Sequence, residues 1–289
     1  MLSNGQNIKW VECPRDAMQG WPSFIPTSAK IEYINQLLQV GFDTLDFGSF
    51  VSPKAIPQMA DTKDVLKGLK LDATTTKLLA IVANLRGATE AAAFDEIACL
   101  GFPFSISPTF QLRNTNSTIT DSIQTVSSLQ TLCMQNKKQL VVYLSMGFGN
   151  PYGDPYDEAV LATYCQLFKE MGVQTIAIAD TVGVASPQQI EQVLNAIIPA
   201  FPMLQIGVHL HSTIENWKDK VDAALRAGCT RFDGALKGIG GCPMAGNDLV
   251  GNLDSELVLP YLKSLNKLLP LNEQALQNSS VLAASIFHH

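Results

Sequence analysis

Eight short apolar runs, rich in β-branched residues and separated by longer stretches with helical spacing, constrain what this chain can fold into. The runs are IKWVEC, FDTLDFGSF, LLAIVA, FPFSIS, LVVYLSM, TIAIAD, IGVHLH and RFDGAL. Short and nearly continuous in apolar character, they read as strands buried on both faces, the pattern of parallel sheets. Between them, TSAKIEYINQLLQVG puts Ile31, Ile34, Leu37 and Leu38 on one helical face, with Thr27 or Ser28 placed to cap the start. Several such segments reach a glycine just before the next run (LQVGFDTL, ACLGFPF, KEMGVQT, LRAGCTR), where the left-handed turn that closes a helix favours glycine. Strand and helix alternate in units of roughly 30 residues. Eight units predict an α/β chain closed into a (β/α)8 TIM barrel. An open doubly wound sheet is the alternative, but no glycine-rich dinucleotide fingerprint follows the first strand. No linker or low-complexity segment interrupts the alternation, so residues 1–289 read as a single domain. The last stretch, NEQALQNSSVLAASIFHH, adds a helix outside the eight units.

Charge and cysteine usage narrow the partners. The net charge is −6, and no run of lysine or arginine is available to follow a polyanion, so the sequence predicts no nucleic-acid partner. Six scattered cysteines, with no CxxC pair, read as free thiols in a reducing compartment. No charged-then-apolar leader opens the chain, and no apolar stretch approaches the roughly 18 residues of a membrane helix. The expectation is a soluble, cytoplasmic protein with no membrane partner.

Polar residues gather where the apolar runs end, and in a barrel those ends converge on one mouth. Apart from His288 and His289 at the chain end, the histidines are His209 and His211 in GVHLHS. Two residues apart on a strand, they project to the same side. That suits two ligands of one metal; otherwise one is a hydrogen-bonded core residue and the other a rim residue. VECPRDAMQG places Arg15, Asp16 and Gln19 where the first strand passes into its loop, with Asp16 the natural third ligand. Imidazole and carboxylate donors without a cysteine pair point to Mg2+ or Mn2+, zinc remaining open. Arg15 offers a fixed positive fork for a carboxylate or a developing enolate; by itself the RD pair would be an ordinary surface ion pair. After the eighth run, LKGIGGCPMAGNDLVGN is a glycine-rich segment able to close over the mouth. Cys242 within it either carries a proton or fills a turn. Asn252 either returns an amide oxygen to the metal or caps the helix begun by NLDSE. Asp180 and Thr181 end the sixth run and Asp46 lies near the end of the second, positions that serve chemistry or an ion-pair network.

Together these residues resemble the metal-dependent DRE-type TIM-barrel lyases, and within them the hydroxymethylglutaryl-CoA lyases. VECPRDAMQG, SFVSPKAIPQMAD, HLH and GIGGCP followed by GN match in order, and ADTVGVASP resembles the sixth-strand motif. The likeness spans nearly the whole chain. It implies a divalent cation, Mg2+ or Mn2+, held by Asp16, His209, His211 and Asn252. It implies an acyl-CoA substrate, 3-hydroxy-3-methylglutaryl-CoA, cleaved to acetyl-CoA and acetoacetate as in leucine degradation; another 3-hydroxyacyl-CoA or a 4-hydroxy-2-oxo acid is the alternative. Arg15, Asp16, His209 and Cys242 take the catalytic roles, and Gln19, Asp46, Asn114, Thr181 and Glu256 the substrate contacts. Cys242 favours a thioester, because the related aldolases lack that lid cysteine. The assignment of Asn252 rather than Asn247 rests on the GN that follows and on Glu256. A homodimer is expected by the same analogy. A catalytically silent barrel is opposed by the joint presence of Arg15, Asp16, His209, His211 and Cys242. The chain departs from the family at Asp46, where the lyases carry a glutamate, and in SPTFQLRNTN, where Pro108 replaces an acidic residue and Leu112 and Arg113 replace lysines. Its lid segment is one residue longer.

Overall fold

The structure, a computed structural model, describes residues 7–241 and 250–288. The eight runs form β1 (Lys9–Glu12), β2 (Thr44–Ser49), β3 (Lys77–Ile81), β4 (Ile97–Ser105), β5 (Gln139–Ser145), β6 (Thr175–Ala179), β7 (Gln205–His209) and β8 (Arg231–Gly234). All pair in parallel and in chain order, and β8 returns to β1 to close the barrel. The expected (β/α)8 architecture is the one the chain adopts. Beyond the eighth unit's helix, Ser255–Ser264, the predicted extra helix runs from Glu273 to Ile286 and packs on the helix Thr27–Leu38. Phe287 sets its ring edge-on to Trp21 and Tyr33, at 5.3 and 6.2 Å between centroids.

Side-chain alternation sorts each strand into an outward and an inward set. The outward residues, such as Leu100, Phe102, Val142, Ile176 and Val208, join one large core with the helices. The inward residues divide the barrel interior in two. Leu79, Ile81, Cys99, Val141, Tyr143 and Ala177, from β3 to β6, form a separate apolar cluster. Across from it, β7, β8 and the end of β1 supply His209, Asp233, Arg231 and Cys13, a polar column.

Two local expectations are corrected. Gly41, Gly172 and Gly228 do take positive φ (90°, 91° and 87°) before their strands, but Gly101 lies within β4. The preceding helix stops at Ala92. A Cβ on Gly101 would sit 2.6 Å from Ile81 Cδ1 and 3.1 Å from the Tyr143 ring, so the glycine serves close packing inside the barrel rather than a turn. Nor does Thr27 or Ser28 cap the helix Thr27–Leu38, whose N-cap is Pro26. The Thr27 hydroxyl instead donates to Asp61 at 2.8 Å, and Lys30 reaches the same carboxylate at 2.7 Å. Ile34, Leu37 and Leu38 are buried as expected, while Ile31 is half-buried.

Glu12 ties β1 to the helix beyond β8. Its carboxylate accepts hydrogen bonds from Trp10 Nε1 (3.0 Å), Leu236 N (2.7 Å) and Ser255 Oγ (2.5 Å). Burial still dominates and pushes its pKa from 4.5 to about 7. The folded value lies above the unfolded one, so this stabilisation is complete below the unfolded pKa and is lost as pH rises through about 7, a difference of about 3 kcal/mol. The expected result is that urea unfolding between about pH 5 and about pH 8 shows wild type losing stability relative to Glu12→Gln. Parallel pH profiles of the two proteins would contradict it.

Candidate active site

The first strand leads directly into the short helix Pro14–Gln19, which lifts three polar side chains onto the C-terminal rim. Arg15 is 8% exposed and grips Asp46, which lies within β2 rather than near its end, with a fork: Nε lies 3.2 and 3.0 Å from its two oxygens, and one terminal nitrogen 2.5 Å from Oδ2. The other terminal nitrogen donates to Asp16 Oδ1 (3.0 Å) and Gln19 Oε1 (2.9 Å), and the Gln19 amide donates back to Asp16 Oδ1 at 2.8 Å. Burial alone would raise the Asp16 carboxyl, but Arg15, and after it His209, hold it down at about 2. Burial pushes Asp46 up to about 6 against the pull of Arg15. At neutral pH both are carboxylates, and Arg15 is fixed between them.

The histidines arrive at the end of β7 with ring centroids 5.2 Å apart. Beyond the strand the chain bridges His211 to Asn252, and Ser212 N donates to Gly251 O at 2.8 Å. His211 Nδ1 lies 2.8 Å from the carbonyl of Val250, which can only accept, so Nδ1 carries the proton and Nε2 keeps its lone pair. Burial, then the neighbouring His209, lower its pKa and keep the ring neutral. His209 Nδ1 faces Asp233 Oδ2 at 3.4 Å, which likewise directs Nε2 away. For His209 burial works downward, but the Asp233 carboxylate outweighs it and the pKa is raised. Beneath the pair, buried Lys220 binds Asp180 at 2.7 Å and donates to His211 O at 2.7 Å; Asp180 also accepts from Ala185 N. Asp180 thus belongs to an ion-pair network that fixes the backbone at His211.

Asn252 resolves its two sequence readings. The cap of the helix Ser255–Ser264 is Asp254, whose side chain accepts from Glu256 N. Asn252 turns inward, its amide nitrogen donating to Asp16 Oδ2 (2.7 Å) and Ile239 O (2.9 Å), and its buried Oδ1 has no hydrogen-bond partner among the described residues. Gly240, at φ 117°, covers this pair; a Cβ there would stand 2.3 Å from the Asn252 amide nitrogen and 2.9 Å from Asp16 Oδ2.

A cleft of about 150 Å3 opens over these groups, lined by Arg15, Asp16, Gln19, Asp46, Asn114, Thr181, His209 and His211, among others. Thr181 also accepts from Met146 N at 2.8 Å. Asn114 comes from the helix Pro108–Thr115, whose start is held by Asp154 of the NPYGDPY loop through Ser107 and Thr109, so that loop positions a wall of the cleft. Glu256 is not brought to the cleft: its carboxylate is held by Lys237 and Ser280. Cys242 lies outside the described residues. Among the described residues, the one group of metal-capable cysteine, histidine and acidic atoms within 4.8 Å of each other is Cys13, His209 and Asp233. Its members are committed elsewhere: Asp233 Oδ1 accepts from Arg231 at 2.8 Å and Oδ2 faces His209, while burial holds the Cys13 thiol protonated. Sequence reading missed Asp233, Arg231 and Lys220. Alternation pairs Arg231 with Asp233, but only the β7 to β8 register, His209 opposite Asp233, shows which histidine they serve.

Comparison with known proteins fits this geometry. The family model described as HMGL-like matches residues 7–280. The chain belongs to the HMGL-like family. Among HMGL-like relatives, the hydroxymethylglutaryl-CoA lyase YngG of Bacillus subtilis is 35% identical over 256 residues, covering 88% of this chain and 84% of that protein. The mitochondrial hydroxymethylglutaryl-CoA lyase of Mus musculus is 32% identical over 264 residues, 90% of this chain and 79% of the relative. Of solved HMGL-like structures, the B. subtilis HMG-CoA lyase superposes with a TM-score of 0.91 at 29% identity, covering 99% of this chain and 95% of that one. The HMG-CoA lyase of Acinetobacter baumannii in complex with coenzyme A and 3-methylmalate gives 0.89 at 29% identity, covering 99% and 93%.

Proposed function

We propose that this protein is a divalent-metal-dependent carbon–carbon lyase that cleaves 3-hydroxy-3-methylglutaryl-CoA to acetyl-CoA and acetoacetate. The observation that carries the reading is the set of donors at the mouth: Asp16, held ionised, shares one cleft with two imidazoles whose Nδ1 atoms are engaged, and Asn252, hydrogen-bonded to Asp16, has a buried amide oxygen with no donor among the described residues. Asp16, His209, His211 and Asn252 are the residues that would hold Mg2+ or Mn2+, since oxygen and imidazole donors without thiolate suit either ion. A cation there supplies Lewis acidity toward the substrate's tertiary hydroxyl and carboxylate oxygens. The A. baumannii relative, seen with coenzyme A and a short hydroxy-dicarboxylate, supports an acyl-CoA occupant for the same cleft.

The chain's own residues do the remainder. Arg15, fixed by Asp46 and Gln19, presents positive charge where negative charge develops on the thioester oxygen as the carbon–carbon bond breaks. Its fork is set before the substrate arrives, so little reorganisation is needed during reaction. Asp46 therefore acts by orienting Arg15, and Gln19, Asn114 and Thr181 line the substrate's space. Asp16 or His209 takes the proton that leaves the tertiary hydroxyl as the carbon–carbon bond breaks, and Cys242 carries the proton delivered to the acetyl carbon. We further propose one domain and a homodimer, on the strength of the family likeness, and a cytoplasmic setting, supported by the free thiols of Cys13, Cys99, Cys133, Cys165 and Cys229; light scattering coupled to gel filtration tests the dimer.

The test is turnover of 3-hydroxy-3-methylglutaryl-CoA by purified protein with and without added Mg2+ or Mn2+, following acetoacetate. Release that depends on the metal and stops on chelation is expected. A protein that binds Mn2+ yet releases nothing would keep the site and lose the substrate.

A further inference from the structure

The polar column inside the barrel ends in a charge that the chemistry above does not use. Arg231 begins β8, near the N-terminal end of the barrel and opposite the mouth; it is 4% exposed and its side chain runs inward. One guanidinium nitrogen donates to Asp233 Oδ1 at 2.8 Å, and Asp233 Oδ2 is the atom facing His209 Nδ1 at 3.4 Å. We propose that Arg231 is a positioning residue for the metal site, holding Asp233 so that its second oxygen sets the orientation of His209. This rests on the metal-site reading given above.

Three observations separate this from an ordinary buried ion pair. First, the surroundings leave a slot for the arginine stem. Gly207, two residues before His209 on the same face of β7, has no side chain where Arg231 passes; a Cβ there would stand 3.0 Å from Arg231 Cβ, Cγ and Cδ. Second, Tyr143 touches both ends of the column, with its ring 6.0 Å from the Arg231 guanidinium and edge-on to His209 at 6.0 Å. Third, the carboxylate of Asp233 has other metal-capable neighbours that could draw it away from His209. It lies with Cys13 Sγ and His209 in the one cluster of metal-capable atoms within 4.8 Å among the described residues. The guanidinium on Oδ1 keeps Asp233 as the outer partner of His209 and directs Nε2 to the mouth. Outer partners of this kind orient the ligand ring, and their loss typically weakens metal binding by about 10- to 100-fold.

Isothermal titration of Mn2+ into metal-free protein tests this, with folding checked by circular dichroism. Arg231→Met should weaken Mn2+ binding at least about tenfold, and Arg231→Lys, which keeps the charge but not the fork, should restore part of the loss. Arg231→Met leaves Asp233 buried without its cation and can fail to fold. In that case Arg231→Lys and Gly207→Ala, which crowds the stem while keeping every charge, decide the matter through the same weakening. A merely structural role would lower the melting temperature and leave Mn2+ affinity alone, so wild-type affinity in every folded variant would overturn the proposal. Absence of Mn2+ binding to wild type would instead sink the metal-site reading, and this inference with it.

Discussion

His211→Ala should reduce turnover of 3-hydroxy-3-methylglutaryl-CoA at least about a thousandfold, because an ion contributing several kcal/mol of charge stabilisation is no longer retained where it is needed. The substitution does more than delete one imidazole. His211 Nδ1 anchors Val250 O at 2.8 Å, and the same stretch carries Asn252, whose amide reaches Asp16. Two further ligands are therefore loosened together. Mn2+ titration should show the affinity falling in step with the rate, while the barrel stays folded because His211 sits beyond the end of β7. A variant that still released acetoacetate at the wild-type rate after exhaustive chelation would overturn the ligand assignment.

Arg15→Met should be costly twice over. Loss of the preorganised charge removes the group facing the developing enolate, with an expected fall in kcat of about 100- to 1,000-fold on the scale of a lost oxyanion donor. It also strands Asp46, which is 1% exposed and takes its hydrogen bonds from Arg15. Breaking one side of a buried pair costs roughly 3–5 kcal/mol. Arg15→Met/Asp46→Leu should therefore recover much of the stability in urea unfolding and none of the rate. A single variant with full stability would overturn the stranded-carboxylate argument, and a double variant with restored kcat would show that the charge at Arg15 is not what the reaction uses. The departure at Asp46 fits this arrangement: the shorter carboxylate still receives the Arg15 fork at 3.0 and 3.2 Å.

Much of this was legible in the chain. The eight strands lie where the apolar runs are, since buried parallel strands carry a continuous apolar signal and their helices a separate one of different period. The mouth was legible for a related reason, since polar residues at strand ends must share one rim once eight parallel strands close. Arg15, Asp16, His209 and His211 belong to that class, whereas the choice for Asn252 between cap and inward turn was made by the contacts of its amide with Asp16 and Ile239. Gly101 and Thr27 were misread because a glycine or a hydroxyl has several structural uses, and the choice is made by what packs against it. For Gly101 that is Ile81 and Tyr143, and for Thr27 it is Asp61.

The sequence by itself determined the strands, the helices and the set of side chains at the mouth, because local periodicity and strand-end position are properties of consecutive residues. Tertiary structure alone decided which oxygens and nitrogens are committed and which are free. That Asp180 is spent on Lys220, that Glu256 is drawn away by Lys237 and Ser280, and that Asn252 keeps an unpartnered oxygen all depend on contacts between residues far apart in the chain. The same holds for Arg231, whose link to His209 passes through the strand register that sets Asp233 opposite it. A buried polar atom is satisfied by whatever the closed barrel brings within hydrogen-bonding distance, and that distance is set by closure and register.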